Sequence, residues 1–294
     1  MIEDIDRLVS SILEGDKPRK YNVLFTPRRV ESRFERLKKI LQQEHIDGDL
    51  NLSYIPITDL GNLKSIGGNI YLFGTHITSL GSLKSVGGNL NISNTPLTDL
   101  GSLGSVDGYL SLRYTSITNL GSLKSVGGDL DLRDTPITDL GSLKSVGGDL
   151  DLRDTPITDL GSLESVGKDL YLQDTPITNL GSLESVVGDL DLSNTPITSL
   201  GSLKLVGGYL DLSGSHITDL GSLKSVGGWL DLSFTPITSL GSLESVDGDL
   251  YLHDTPIIDL GSLRSVGRIF INKNSRLDIN SIPEHLKSKV RFEY

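Results

Sequence analysis

The chain has 294 residues, a formal net charge of −11, no cysteine and only 5% aromatic residues. The absence of cysteine excludes a disulfide framework and thiolate metal sites, and no apolar run approaches the roughly 18 residues that cross a membrane. The charge is uneven: residues 1–46 carry 10 Lys/Arg against 8 Asp/Glu, whereas residues 47–294 carry 17 against 30.

An acidic body of this kind is ill suited to following a nucleic-acid backbone. Only the basic stretch 17–39, with nine Lys/Arg and two Asp/Glu, could meet one. The acidic N-terminus lacks the basic-then-apolar profile of a secretory signal. With the missing cysteines, this gives the expectation of a cytoplasmic protein, or of one in a virion or host cytoplasm if a phage encodes it.

Residues 1–47 are expected to form a helical N-terminal cap. Ile2, Ile5, Val9, Ile12 and Leu13 recur at helical spacing. Thr26 and Pro27 read as an N-cap followed by proline at the first helical position. Val30, Phe34, Leu37 and Leu41 follow on one face, and residues 21–25 read as a short strand between the two helices.

Residues 48–267 are eleven 20-residue repeats without insertion, and residues 121–140 are identical to 141–160. A repeat array adds length without adding a second core, so the expectation is a single solenoid. In the unit 148–167, Leu150 and Leu152 alternate with Asp149, Asp151 and Arg153, which is the pattern of a strand with one buried face. Thr155, Pro156 and Ile157 turn the chain. Leu160, Leu163 and Val166 follow at a spacing of three, which predicts extended or 3₁₀-like backbone. Gly147 and Gly148 are expected to supply positive φ before the next strand. Six aliphatic positions per unit point inward, and strands of successive coils are expected to form one long parallel sheet about 4.8 Å apart, roughly 50 Å in length.

Residues 268–294 are expected to cap the far end. Ile269 and Ile271 read as a last coil, residues 283–287 as a turn, and Val290, Phe292 and Tyr294 as a closing strand.

The stretch Leu150-Asp-Leu-Arg-Asp-Thr-Pro-Ile157 resembles the leucine-rich-repeat core Leu-x-Leu-x-x-Asn-x-Leu, with Thr in the Asn place. Val146 lies four residues before Leu150, where that family usually has three. The Gly-Gly-Asp-Leu entry is closer to receptor L-domain repeats and to repeat proteins of phage and bacterial genomes. The resemblance covers about three quarters of the chain. It implies a mostly β, right-handed solenoid, and it says little about activity. Family members curve because helices widen the convex side. No helix fits this unit, so a nearly straight prism is expected.

Function is expected on the strand surface. Ten aromatic residues lie within the repeats, and all fall in the columns of Asp149, Asp151, Arg153 and Asp154. From these, Tyr71, Phe73, Tyr109, Tyr171, Tyr209, Trp229, Phe234 and Tyr251, with Asp211 and Asp231, form the expected partner-binding set. Aromatic side chains anchor interfaces because they bury much area with few rotatable bonds. Large β-formers covering a solvated strand are the plain alternative.

Carboxylates stack in the same columns, including Asp129, Asp131, Asp149, Asp151, Asp169, Asp189, Asp191 and Asp249. At about 4.8 Å they repel by roughly 3–4 kcal/mol at an effective dielectric near 20, which favours a basic protein partner. Arg113, Arg133 and Arg153 sit beside part of this ladder and are expected to offset it. The Thr155 column is expected to bond the turn backbone, with an ice-binding face as a remote alternative. The Gly-Gly-Asp opening likens calcium-binding nonapeptide repeats, but the period is wrong for them.

No catalytic constellation, cofactor motif or metal-ligand spacing is present. His253 beside Asp254 and Tyr251 is the sole local histidine cluster. The chain therefore reads as a non-enzymatic macromolecule-binding scaffold. A structural or assembly protein, for example of a phage particle held through its terminal caps, is the alternative. Self-association through the basic segment 17–39 against the acidic array of a neighbouring copy is a further option.

Overall fold

The computed structural model describes residues 39–273 and 275–293. They form a mostly β, parallel solenoid with 20-residue coils. The pairs Leu130↔Leu150 and Asp131↔Asp151 repeat the 20-residue offset from coil to coil, and these strands build a 13-stranded parallel sheet. This is the sheet expected from the Leu-x-Leu pattern, and it carries the columns of interest.

A second sheet of 12 parallel strands runs beside it, made of two-residue strands such as Ser145–Val146 and Ser165–Val166. The stretch holding Leu160, Leu163 and Val166 divides into two parts. The amide of Leu163 donates to the carbonyl of Leu160 at 3.2 Å, closing a turn, and the chain then extends into Ser165–Val166. Isolated bridges such as Asp159↔Asn179 mark a third side of the coil.

Leu150, Leu152, Ile157, Leu160, Leu163 and Val166 have no exposed surface, and their equivalents are buried in almost every coil. Each buried aliphatic side chain stabilises by roughly 1.5–3 kcal/mol before chain entropy is counted. One coil cannot close that core, so each depends on its neighbours.

Positive φ falls elsewhere than expected. It occurs at Gly161 (φ 59) and its equivalents, where the turn 160–163 requires it at the first central position, and in the Asp154 column (φ 58). Gly147 and Gly148 are not left-handed. They are small because coils stack closely there: a Cβ on Gly148 would lie 2.7 Å from the carbonyl carbon of Gly128.

The Thr155 hydroxyl donates to the Leu152 carbonyl at 2.6 Å, and Thr95, Thr115, Thr135, Thr175, Thr195 and Thr235 make the same bond. This column is buried, so it closes the turn after the strand from within.

At the N-terminal end, residues 39–41 are helical, Leu41 joins the core, and its carbonyl accepts the Asn62 amide at 2.9 Å. Strand His45–Ile46 opens the second sheet by pairing with Ser65–Ile66. The expected helix over 2–13, the strand at 21–25, the cap at Thr26 and the basic residues before Lys39 lie outside the described residues.

At the other end the register shortens by one: Leu250 pairs with Ile269. A 3₁₀ turn, Ile279–Ser281, and a one-turn helix, Glu284–Lys287, lead to the strand Val290–Glu293, which pairs in parallel with Ile269–Asn272. No helix among the described residues is long and apolar enough to cross a membrane.

Candidate binding surface

The period-2 geometry of the Leu150–Asp151 strands turns the Asp149, Asp151 and Arg153 columns away from the core. All ten rings of the repeats stay outside the core. Tyr71, Phe73, Tyr109, Tyr171, Tyr209, Trp229 and Tyr251 are half-buried against neighbouring coils. Tyr54, Tyr114 and Phe234 stand clear at 74%, 55% and 66% exposure, and all three occupy the left-handed position of the Asp154 column. Elsewhere that column holds Asn, Asp or Gly, which tolerate this backbone at lower cost.

The rings concentrate at the C-terminal end. Tyr209 and Trp229 stack with centroids 4.4 Å apart, Trp229 meets Tyr251 edge-on at 6.4 Å, and Tyr251 stacks on Phe270 at 5.0 Å. A ribbon of four rings therefore crosses four successive coils. Phe270 was not among the expected residues because it lies past the regular array. The one-residue shortening after Gly267 places it opposite Tyr251. At the other end Tyr54 and Phe73 pair edge-on at 5.3 Å. Tyr71 and Tyr109 make no ring contact among the described residues.

The acidic columns do two jobs. In the Asp149 column each carboxylate accepts the backbone amide of the next coil: Asp149 N–H to Asp129 at 3.0 Å, Asp169 to Asp149 at 3.1 Å, Asp189 to Asp169 at 2.8 Å and Tyr209 to Asp189 at 2.9 Å. These carboxylates staple coil to coil. Tyr209 and Trp229 occupy two positions of this column, so the coils after them lack the staple and carry a stacked pair in its place.

The Asp151 column divides into two runs of different character. In the first, Arg133 donates to Asp131 at 2.7 Å and reaches Asp151 at 3.1 Å, while Arg153 donates to Asp151 at 2.5 Å and lies 5.2 Å over the Tyr171 ring. Arg113 departs from the expected role. It pairs with Asp134 at 2.9 Å and lies 4.7 Å over Tyr114, because its own strand offers Ser111 and no carboxylate.

In the second run Asp191, Asp211 and Asp231 stand in register on adjacent strands. The Arg153 column here holds Ser193, Ser213 and Ser233, whose backbone amides donate to these carboxylates at 3.0, 2.9 and 2.8 Å. Among the described residues none of the three has a Lys or Arg partner. Burial pushes the Asp211 carboxyl above its usual range, hydrogen bonds from Ser213 pull it back, and the Asp191 and Asp231 charges add to the rise. Burial also raises the Tyr209 hydroxyl, with the neighbouring carboxylates acting in the same direction. The Arg268 guanidinium holds Asp249, at the far edge, below its usual range.

Tyr209, Trp229, Tyr251, Asp211 and Asp231 of the expected set are thus gathered on one patch, joined by Asp191 and Phe270. Tyr171 lies at the edge of this patch, paired with Asp191 on the adjacent strand, whereas Tyr71, Phe73 and Tyr109 lie on the same sheet several coils away and Phe234 projects from the turn after Ser233. His253 lies at the rim, 3.4 Å from the Ser233 hydroxyl and 3.0 Å from the Glu293 carboxylate, so it ties the closing strand to the array. Among the described residues no three His, Cys, Asp or Glu side chains converge as metal ligands do. A shallow groove of about 490 Å³ lies on the second sheet, floored by Gly127, Gly147 and Gly167 between Asp107 and Val187. It is separate from the ring-bearing face.

These features define the class: a parallel β-solenoid with one decorated strand face. No protein-family model matches the sequence, and no curated protein gives a significant match.

Proposed function

We propose that this chain is a non-enzymatic scaffold that captures a protein partner with basic side chains on the strand face of its C-terminal coils. One observation carries the reading: the Tyr209–Trp229 stack lies beside three aligned carboxylates that have no Lys or Arg partner among the described residues. Rings at the centre of a contact supply buried area at low entropic loss, and an acidic flank attracts a basic partner and suppresses acidic ones. The repeat is read as leucine-rich-repeat-like on the Leu150–Ile157 pattern. Such solenoids present an extended surface built from variable positions on an invariant frame.

The test is affinity capture from the cell that makes the protein, comparing wild type with Tyr209→Ala/Trp229→Ala. Loss of the captured partner with an unchanged circular dichroism spectrum is the expected result. Undiminished capture would count heavily against the reading.

A second reading, an assembly protein held through its ends, draws on the closing strand Val290–Glu293. Among the described residues its outer edge has no partner strand, and Phe292 is half exposed at 50%; an unpaired edge invites another strand. Capture that survives loss of the two rings but requires an end of the chain, the closing strand 290–293 or residues 1–46, would select it.

A further inference from the structure

We infer that the carboxylate run of Asp191, Asp211 and Asp231 recognises arginine, each guanidinium bridging two successive coils; this inference rests on the binding reading above and names the partner's chemistry.

The repeat supplies its own precedent. Arg133, two residues after Asp131, donates two hydrogen bonds to Asp131 and forms an ion pair with Asp151 of the next coil at 3.1 Å. Its planar fork spans two carboxylates that would otherwise repel, which a lysine ammonium, a single point charge, does less well. Advancing this arrangement by three and four coils brings it to Asp191/Asp211 and Asp211/Asp231. There the register is the same, but the position of Arg133 is held by Ser193 and Ser213. Two seats for a guanidinium are present, and among the described residues no Lys or Arg fills either.

Two further observations point to arginine rather than to any cation. The lysines of the array pair outside the Asp151 column, as in Lys144 with Glu164 at 2.8 Å, Lys204 with Glu184 at 2.9 Å, Lys224 with Glu244 at 3.5 Å and Lys168 with Asp129 at 3.5 Å. In the Asp151 column, by contrast, the pairing cations among the described residues are both arginines. Moreover, the open run borders the Tyr209–Trp229 stack, and guanidinium planes lie well against aromatic rings, as Arg153 does over Tyr171. A third seat, at Asp231 and Tyr251, is not open, because His253 lies against Ser233 and the Tyr251 ring. The two seats are one coil apart, about 4.8 Å, so neighbouring arginines of one partner segment can fill both.

Trp229 is the only tryptophan in the chain, so its fluorescence reports on this patch alone. End-blocked tetra-arginine, tetra-lysine and tetra-citrulline peptides are titrated against the full chain at about 0.15 M salt, where long-range attraction is screened. The expected order is arginine at least about tenfold tighter than lysine, with citrulline not binding. Ser193→Arg/Ser213→Arg, which transplants the Arg133 arrangement into both seats, should weaken arginine binding at least about tenfold while the melting temperature holds or rises. Asp211→Asn, which removes the carboxylate shared by both seats without adding bulk, should weaken it several-fold and keeps the test decisive if the double arginine variant misfolds.

Equal affinity for arginine and lysine, wild-type binding by Ser193→Arg/Ser213→Arg or by Asp211→Asn, or no saturable response to tetra-arginine would each overturn the inference. If tetra-arginine fails while partner capture still requires Tyr209 and Trp229, the binding face stands and arginine is not its target. If capture ignores those rings, the underlying reading fails whatever the peptides do.

Discussion

Tyr209 and Trp229, twenty residues apart in sequence, lie face to face with ring planes within 1° of parallel and centroids 4.4 Å apart. Both sit in a column whose usual carboxylate would accept the amide of the next coil, as Asp189 does for Tyr209. Two successive coils therefore exchange a structural hydrogen bond for a ring stack. The stack recovers stability on the order of 0.5–1.5 kcal/mol beyond its area burial, and it leaves an aromatic surface on an otherwise polar face.

Removing one ring should cost stability without unfolding the chain. Tyr209→Ala is expected to lower the free energy of unfolding by about 1–3 kcal/mol, combining lost stacking with lost burial. Urea denaturation followed by Trp229 fluorescence measures it, and Tyr209→Phe should retain most of the stability.

The core predicts a sharp contrast between two leucines. Leu152 has no exposed surface, so Leu152→Ala should destabilise by about 2–5 kcal/mol. Leu205 is 42% exposed where the equivalent position of other coils holds serine. Leu205→Ser should change stability by less than about 0.5 kcal/mol.

Phe234 holds a left-handed backbone (φ 61) with its ring 66% exposed. Asn94 and Asn194 occupy the same position in other coils. Phe234→Asn should therefore stabilise the protein by about 1 kcal/mol, since asparagine tolerates this region better. A drop in the urea midpoint would mean that the ring makes a stabilising contact instead.

Stability should depend on pH through Asp211 with a defined sign. Its carboxyl is raised, first by burial and further by Asp191 and Asp231. The folded protein then keeps this proton at pH values where the unfolded chain, near about 3.9, has lost it. Stability from this group is present at low pH and falls as pH rises through the raised value. Asp249, lowered chiefly by its hydrogen bond from Arg268, acts oppositely: its contribution is present above the ordinary carboxylate value and is lost on acidification through the lowered one. Urea midpoints at about pH 4.5 and 7 should show wild type losing more on the rise in pH than Asp211→Asn.

The parts of this structure legible in sequence are those set by the period. Leu150, Leu152, Ile157, Leu160, Leu163 and Val166 recur every 20 residues, so their burial follows once coils stack. The second sheet was hidden because its strands are two residues long, too short for alternation to register, and Ser165–Val166 looks like any extended corner. The glycines misled for a related reason. A Gly-Gly pair suggests a left-handed turn, yet Gly148 is small because Gly128 passes close beneath it, and the left-handed glycine is Gly161 in an unremarkable Gly-Ser-Leu. On the binding surface, residue types and columns could be read from the chain. Pairing could not: Arg133 bridges Asp131 and Asp151 while Arg113 turns to Asp134, a difference that follows from Asp131 on the strand of Arg133 and Ser111 on that of Arg113. Phe270 escaped because a one-residue change of register moved it out of every counted column.

The most direct test of the strand face as the contact surface is site-specific photo-crosslinking in the cell that makes the protein. A photoreactive benzoylphenylalanine is placed in turn at Ser213, beside Asp211, and at Ser202, exposed on the turn 200–203 of the preceding coil. Partner adducts that form from position 213 and not from position 202 are the predicted result. Adducts from position 202 with none from position 213 would contradict the account.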